Sequence, residues 1–220
     1  MVHSNVKKIF AFLRELTINN DREWFHAHKA QYDALRQPWE ADIERLIALM
    51  GEYDPTVRGL DIKSSVYRIY RDVRFSPDKS PYKNYFSAAI GKGGRHCLSS
   101  AYYLHMMSGG SLLCGGIWQP DKEILDRLRH LIDAEPDEFR QIIGEKKLKS
   151  LYRFDCETLK SMPKGFDKDN ELAEYIKMKE YVLVKYVDDS YFDCDDWVER
   201  VASDFKPLLP VHRFLDYVFE

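Results

Sequence analysis

The chain has 220 residues, 45% hydrophobic and 31% charged, with a formal net charge of −3. That is enough chain for one sizeable domain or two small ones, and its apolar content argues against a disordered polymer. No apolar run approaches the roughly 18 residues of a membrane helix, and residues 1–8 hold no apolar segment behind their charges, so no signal peptide is expected.

Val6, Ile9, Phe10, Leu13 and Leu16 recur at helical spacing and predict a first helix that starts near Ser4 or Asn5. Thr17-Ile18-Asn19-Asn20 should end it. Asn20, with Glu23 three residues on, is placed to cap a second helix that carries Trp24, Phe25, His28, Tyr32 and Leu35. Pro38 lacks the amide hydrogen its turn needs and is expected to kink or restart that helix. Trp39, Ile43, Leu46, Ile47 and Met50 carry a further helix to Gly51.

The texture changes after Asp54-Pro55. Residues 65–75, 84–90, 101–107 and 112–118 are rich in Tyr, Val, Ile and Phe and read as strands. Gly91-Lys92-Gly93-Gly94 and Ser108-Gly109-Gly110-Ser111 look like hairpin connections, which makes the sheet largely antiparallel. Helices follow over 121–132 and 137–143, the second with Pro136 at its first position and Gly144 at its end. Residues 145–170 show no period. A short helix over 172–179, a last strand over 181–187 and helices over 195–205 and 211–219 complete the pattern. It predicts a single α+β domain over 1–220: helices in 1–51, about four or five antiparallel strands, mostly in 63–118, and a mainly helical 120–220 with one late strand.

Charge is distributed unevenly. Residues 63–95 hold eight Lys/Arg against two Asp, whereas the rest of the chain holds 25 basic and 34 acidic side chains. This basic island points to an anionic partner. If residues 65–75 alternate, Tyr67, Ile69, Arg71, Val73 and Phe75 share an apolar face on which Arg71 stands out. A buried guanidinium needs a carboxylate or several carbonyls. Arg71 is therefore either a structural clamp, with Asp78 as the candidate partner, or a bidentate grip on a ligand's phosphate or carboxylate. Arg68, Asp72 and Arg74 form a plus-minus-plus row on the other face, where Asp72 can orient one arginine. The loop that follows, stiffened by Pro77 and Pro81, presents Asp78, Lys79, Tyr82 and Lys83.

Other chemistry is sparse. His105 shares a strand face with Tyr103 and, with Tyr82, is a candidate for proton transfer. Cys97, Cys114, Cys156 and Cys194 are scattered without metal-ligand spacing, which favours free thiols in a reducing cytoplasm; neither metal nor cofactor is expected. The acidic residues Asp188, Asp189, Asp193, Asp195, Asp196 and Glu199 suit a helix N-terminus, or a docking surface for the basic island.

Asn19-Asn20-Asp21-Arg22-Glu23-Trp24-Phe25, followed by Arg68, Arg71, Asp72, Arg74, Phe75, Asp78, Lys79 and Tyr82 in the pattern Arg-x-x-Arg-Asp-x-Arg-Phe, Asp-Lys, Tyr, resembles the signature of a conserved hypothetical protein family, a domain of unknown function. Tyr102-Tyr103, Gly115-Gly116-Ile117-Trp118 and residues 163–168 extend the resemblance over nearly the whole chain. It implies family membership and brings no activity, cofactor or partner with it.

Three functions follow from the residues. The leading one is binding of an anionic small molecule at Arg68, Arg71, Asp72, Arg74, Asp78, Lys79, Tyr82 and Lys83. Nucleic-acid binding through the aromatic and basic side chains is the second, weakened by a sequence pI near 6.2. The third is an ion-pair lattice that only locks strand to loop.

Overall fold

A five-stranded antiparallel sheet of order β1-β2-β3-β5-β4 organises the molecule. The computed structural model describes residues 4–220, so the first three residues of the segment read for a leader lie outside the described residues. The elements run α1 (Val6–Ile18), α2 (Arg22–Ala27), α3 (Lys29–Met50), α4 (Ile62–Ser65), β1 (Phe86–Gly91), β2 (Ala101–Met106) and β3 (Ser111–Ile117). They continue with α5 (Lys122–Ala134), α6 (Pro136–Ile143), α7 (Lys146–Leu151), β4 (Arg153–Phe154), α8 (Ala173–Ile176), β5 (Tyr181–Val187), α9 (Trp197–Phe205) and α10 (Leu209–Asp216). The architecture is α+β, with one apolar core that runs from Val6 to Val218. Among the described residues no helix is long and apolar enough to cross a membrane.

Local chemistry sets most boundaries. The Asn5 side chain accepts the Lys8 amide at 3.0 Å and starts α1. Pro136 opens α6 and Gly144 closes it. Three expectations need correction. Asp21, not Asn20, caps α2, because its carboxylate takes the Trp24 amide at 2.9 Å. Pro38 does not restart a helix. α3 runs through it, since the face carrying Tyr32, Trp39, Ile43, Leu46, Ile47 and Met50 is buried as one stripe, and that burial outweighs the local cost of proline, about 3 kcal/mol. The late part of the chain supplies two strands rather than one: β4, only two residues long, lies on the outer edge of β5.

Residues 65–75 also differ from the expected strand. Ser65 ends α4; Val66 and Tyr67 then lie beside β1, and residues 69–71 beside residues 81–83. Tyr67 donates its amide to the Ser87 carbonyl at 3.0 Å, Lys83 to Ile69 at 2.8 Å and Arg71 to Pro81 at 2.9 Å. Pairing never becomes a continuous ladder. Pro81 has no amide hydrogen to return, and the chain bends at Asn84-Tyr85. The exposed side of this stretch does alternate as expected, with Arg68, Tyr70, Asp72 and Arg74 all in solvent. The apolar face fails at Phe75, which is 94% exposed at the loop.

The two faces of the sheet have different fates. Phe86, Tyr102, Leu104, Met106, Leu113 and Leu183 point into the helix layer, where the Trp39 indole lies 5.2 Å from Phe86 and donates to the Met106 sulfur at 3.0 Å. Truncating a fully buried tryptophan of this kind costs about 3–5 kcal/mol. α10 lies so close to β3 that a Cβ on Gly115 would stand 2.6 Å from His212 Nε2. Burial pushes the His212 ring down to about 4, so it packs as a neutral group beside Tyr102. Among the described residues no long helix is spread over the opposite face, much of which lines a groove. Its rows, read from the register, are Ser87-His105-Leu112-Tyr186, Ala89-Tyr103-Cys114-Val184 and Gly91-Ala101-Gly116-Val182.

The acidic stretch serves the fold. Asp189 accepts the Gly109 amide at 2.8 Å and the Ser108 hydroxyl at 2.7 Å, Asp193 meets Lys7 at 3.3 Å, and Glu199 pairs with Arg45. These partners belong to α1, α3 and the β2–β3 turn, so the stretch docks there and not on the basic island.

Candidate functional site

The loop 72–80 closes on itself. Arg71 pairs with Asp78 and also donates to the Ser80 carbonyl at 3.2 Å. Asp78 in turn takes the Ser80 amide at 2.9 Å and hydroxyl at 2.6 Å. These two bonds, and then Arg71, hold the Asp78 carboxyl well below the usual carboxylate range. Arg74 binds Asp72 through Nε at 3.0 Å and Nη2 at 2.7 Å, which pulls the Asp72 carboxyl down to about 2. Lys79 donates to the Val73 carbonyl at 3.0 Å. Arg71 thus has the clamp geometry, and Asp72 orients Arg74 as its position in the row predicts.

Tyr82 is a core residue at 4% exposure. The Asn20 side chain accepts its amide and donates to its carbonyl, both at 3.0 Å, and its ring stacks on Phe25 at 4.0 Å. That placement leaves it almost no surface to offer a ligand.

Lys83 is in the opposite situation. Half-buried, it enters the open face of the sheet, where its ammonium lies 4.8 Å from the Tyr67 ring centroid and 5.8 Å from that of Tyr85. No carboxylate among the described residues pairs with it. Burial lowers the basicity of this amine, and the charges of Arg68, Arg36 and Arg95 lower it further. Arg95 donates to the carbonyls of Lys63 and Val66, the latter at 3.1 Å, so its charge is oriented but not neutralised. Arg68 lies exposed nearby; it makes no ion pair among the described residues, and its charge helps to lower the Asp72 carboxyl.

Lys83 and Arg95 line one side of a groove of about 530 Å³ along this face, and Arg68 lies outside its lining. Small residues make its floor: Ala89, Ala101, Gly116 and Val182 leave room that large side chains would fill. Tyr67, Tyr85 and Tyr103 supply aromatic surface, with Tyr67 and Tyr103 edge to face at 6.1 Å. Cys114 sits on the floor as a thiol, pushed up to about 12 by burial and by Glu180. Asp155, Glu180 and Tyr186 line the far side, and Leu98 and Trp118 line the rim.

His105 belongs to the same face, one row from Tyr103. Its Nδ1 lies 3.2 Å from the Tyr103 hydroxyl and its ring 4.1 Å from Tyr85. Burial, and then Lys83, push it down to about 4, so it is neutral at pH 7 and works as a hydrogen-bonding group there. Among the described residues no three His, Cys, Asp or Glu side chains are grouped to hold a metal ion, and the four cysteines are free.

Of the sequence-predicted residues, the structure brings Lys83, Arg68 and His105 to one neighbourhood and ties Arg71, Asp72, Arg74, Asp78 and Lys79 into the loop. Arg95, Tyr67, Tyr85, Tyr103, Glu180 and Asp155 complete the groove and were not among the predicted binding residues. The available signal was the alternation that puts Tyr103 and His105 on one face. No curated protein and no solved structure matches the chain. The family model of the conserved hypothetical protein DUF2461 matches residues 8–214, and the chain belongs to that family.

Proposed function

We propose that the open sheet face binds a small molecule bearing a phosphate or carboxylate, held by Lys83 and Arg95 with Arg68 beside them. The apolar or planar part of the ligand would lie against Tyr67, Tyr85 and Tyr103. One observation carries this reading: Lys83 is half-buried on the groove wall beside Tyr67 and Tyr85, with Arg95 lining the same groove, and it makes no ion pair among the described residues. Uncompensated cations in a concave, partly dry site attract an anion more strongly than cations in open water. The basic island keeps its anion-binding role, but the role moves from the loop to the groove wall. A nucleic-acid strand fits less well, because a polyanion laid across the groove would meet Asp155 and Glu180.

Calorimetric titration with phenyl phosphate and with inorganic phosphate tests the reading. Phenyl phosphate should bind the wild type more tightly than inorganic phosphate does. Lys83→Met should weaken it at least about tenfold, and Arg74→Ala should leave it unchanged. Loss of binding in Arg74→Ala with retention in Lys83→Met would return the site to the loop. Absence of binding to the wild type would overturn the groove reading.

A further inference from the structure

The groove has a second charged wall. Opposite Lys83 and Arg95 stand Asp155, just after β4, and Glu180, just before β5. Asp155 accepts the Tyr186 hydroxyl, and Glu180 accepts the Gln119 amide at 3.1 Å. Neither makes an ion pair among the described residues. Of the cations nearby in sequence, Lys179 pairs with Glu157 at 2.6 Å, and the Arg153 guanidinium lies 5.3 Å from the ring of Tyr186, on the outer side of the acidic wall. One cavity is thus lined by two carboxylates and two cations, none of which makes an ion pair among the described residues.

The acidic side also carries aromatic surface that the basic side does not explain. Trp118 is 71% exposed at the rim, and Tyr186 is 53% exposed beside Asp155. Trp118 is set there by its neighbour. Gln119 has φ 47°, the only positive φ on a non-glycine residue among the described ones, and its amide is the one bound by Glu180. A non-glycine residue in that region carries backbone strain, and such strain gathers where a side chain must be presented. Carboxylates next to exposed aromatic rings recognise organic cations, by charge and through the ring faces.

We infer that the groove takes an elongated zwitterion: an acidic group at Lys83 and Arg95, and an alkylammonium or similar organic cation at Glu180, Asp155 and Trp118. The walls stand beside β1 and β5, three strand spacings apart, which puts the two poles about 14 Å or more apart across the sheet at the usual spacing. This inference rests on the anion site proposed above and adds the second pole.

Two probes separate the poles: acetyl-phosphotyrosyl-lysine amide and acetyl-phosphotyrosyl-norleucine amide, of matched length and differing in the terminal ammonium. Calorimetry on the wild type should show the lysine probe binding roughly tenfold more tightly. The double variant Asp155→Asn, Glu180→Gln should bind the two probes equally and hold the norleucine probe at least as well as the wild type does. If both probes bind the wild type with equal affinity, the second pole is refuted and the anion site stands. If neither binds, the anion site falls and the zwitterion reading with it. The wild-type comparison needs no variant, so a folding defect in the double variant leaves the test intact.

Discussion

The loop 72–80 and the groove wall carry cations of one sequence motif in opposite circumstances. Arg71, Arg74 and Lys79 each have a carboxylate or carbonyl partner within a few residues. Lys83, a short way on, has two aromatic rings beside its ammonium and no ion pair among the described residues. The loop's charges fix its own shape, while Lys83 and Arg95 in the groove make no ion pair among the described residues. Clustering of basic residues along a chain therefore says little about which of them meet a ligand; the partner supplied by the fold decides.

The largest effect is expected where the loop's return is anchored. Asn20→Ala removes both hydrogen bonds to the Tyr82 backbone and leaves those groups without a side-chain partner, at a cost of about 1–3 kcal/mol in chemical denaturation. A stability close to wild type would show that the loop is not held there.

Next comes the direct contrast between clamp and wall. Arg71→Ala should lower the melting temperature by several degrees and leave phenyl phosphate binding intact. Lys83→Met should do the reverse, losing the ligand while melting stays level or rises, because an uncompensated charge is gone. Matching behaviour in the two variants would erase the distinction.

A subtler effect lies in the titration of His105. Its folded-state value is depressed to about 4 from 6.5, so the unfolded chain takes up the proton first and stability falls as pH drops through that window. Lys83 contributes to the depression. In Lys83→Met the imidazole should titrate higher, and the loss of stability between those pH values should be shallower, as read from NMR titration and melting curves. An unchanged His105 titration would place Lys83 outside the groove.

The smallest effect belongs to Arg74→Ala. Its pair with Asp72 is fully in water, so melting should not measurably change. A clear loss would mean that the loop shapes the groove after all.

Much of the fold is written in local patterns. The α1 stripe, the Pro136 and Gly144 boundaries and the strand at 181–187 follow from periodicity and capping that a sequence displays directly. Other features depend on distant partners. Asn20 has the chemistry of a cap, and only the fold shows that its amide is used on Tyr82, 62 residues away. Pro38 carries a local cost that a buried helix face overrides, and the two-residue β4 is too short to leave a period. The site is less legible than the fold for the same reason. Lys83, Arg95, Tyr103 and Glu180 come from separate segments and meet only through the sheet register and its edges.

The proposed anion site stands or falls with Lys83, a half-buried cation with no ion pair among the described residues. Its most direct test is an NMR titration of the Lys83 side chain in lysine-labelled protein, assigned through Lys83→Met, with and without saturating phenyl phosphate. The account predicts a free amine that titrates below its ordinary value of 10.5 and rises when the probe binds. An amine at its ordinary value that does not move on addition of the probe would contradict it.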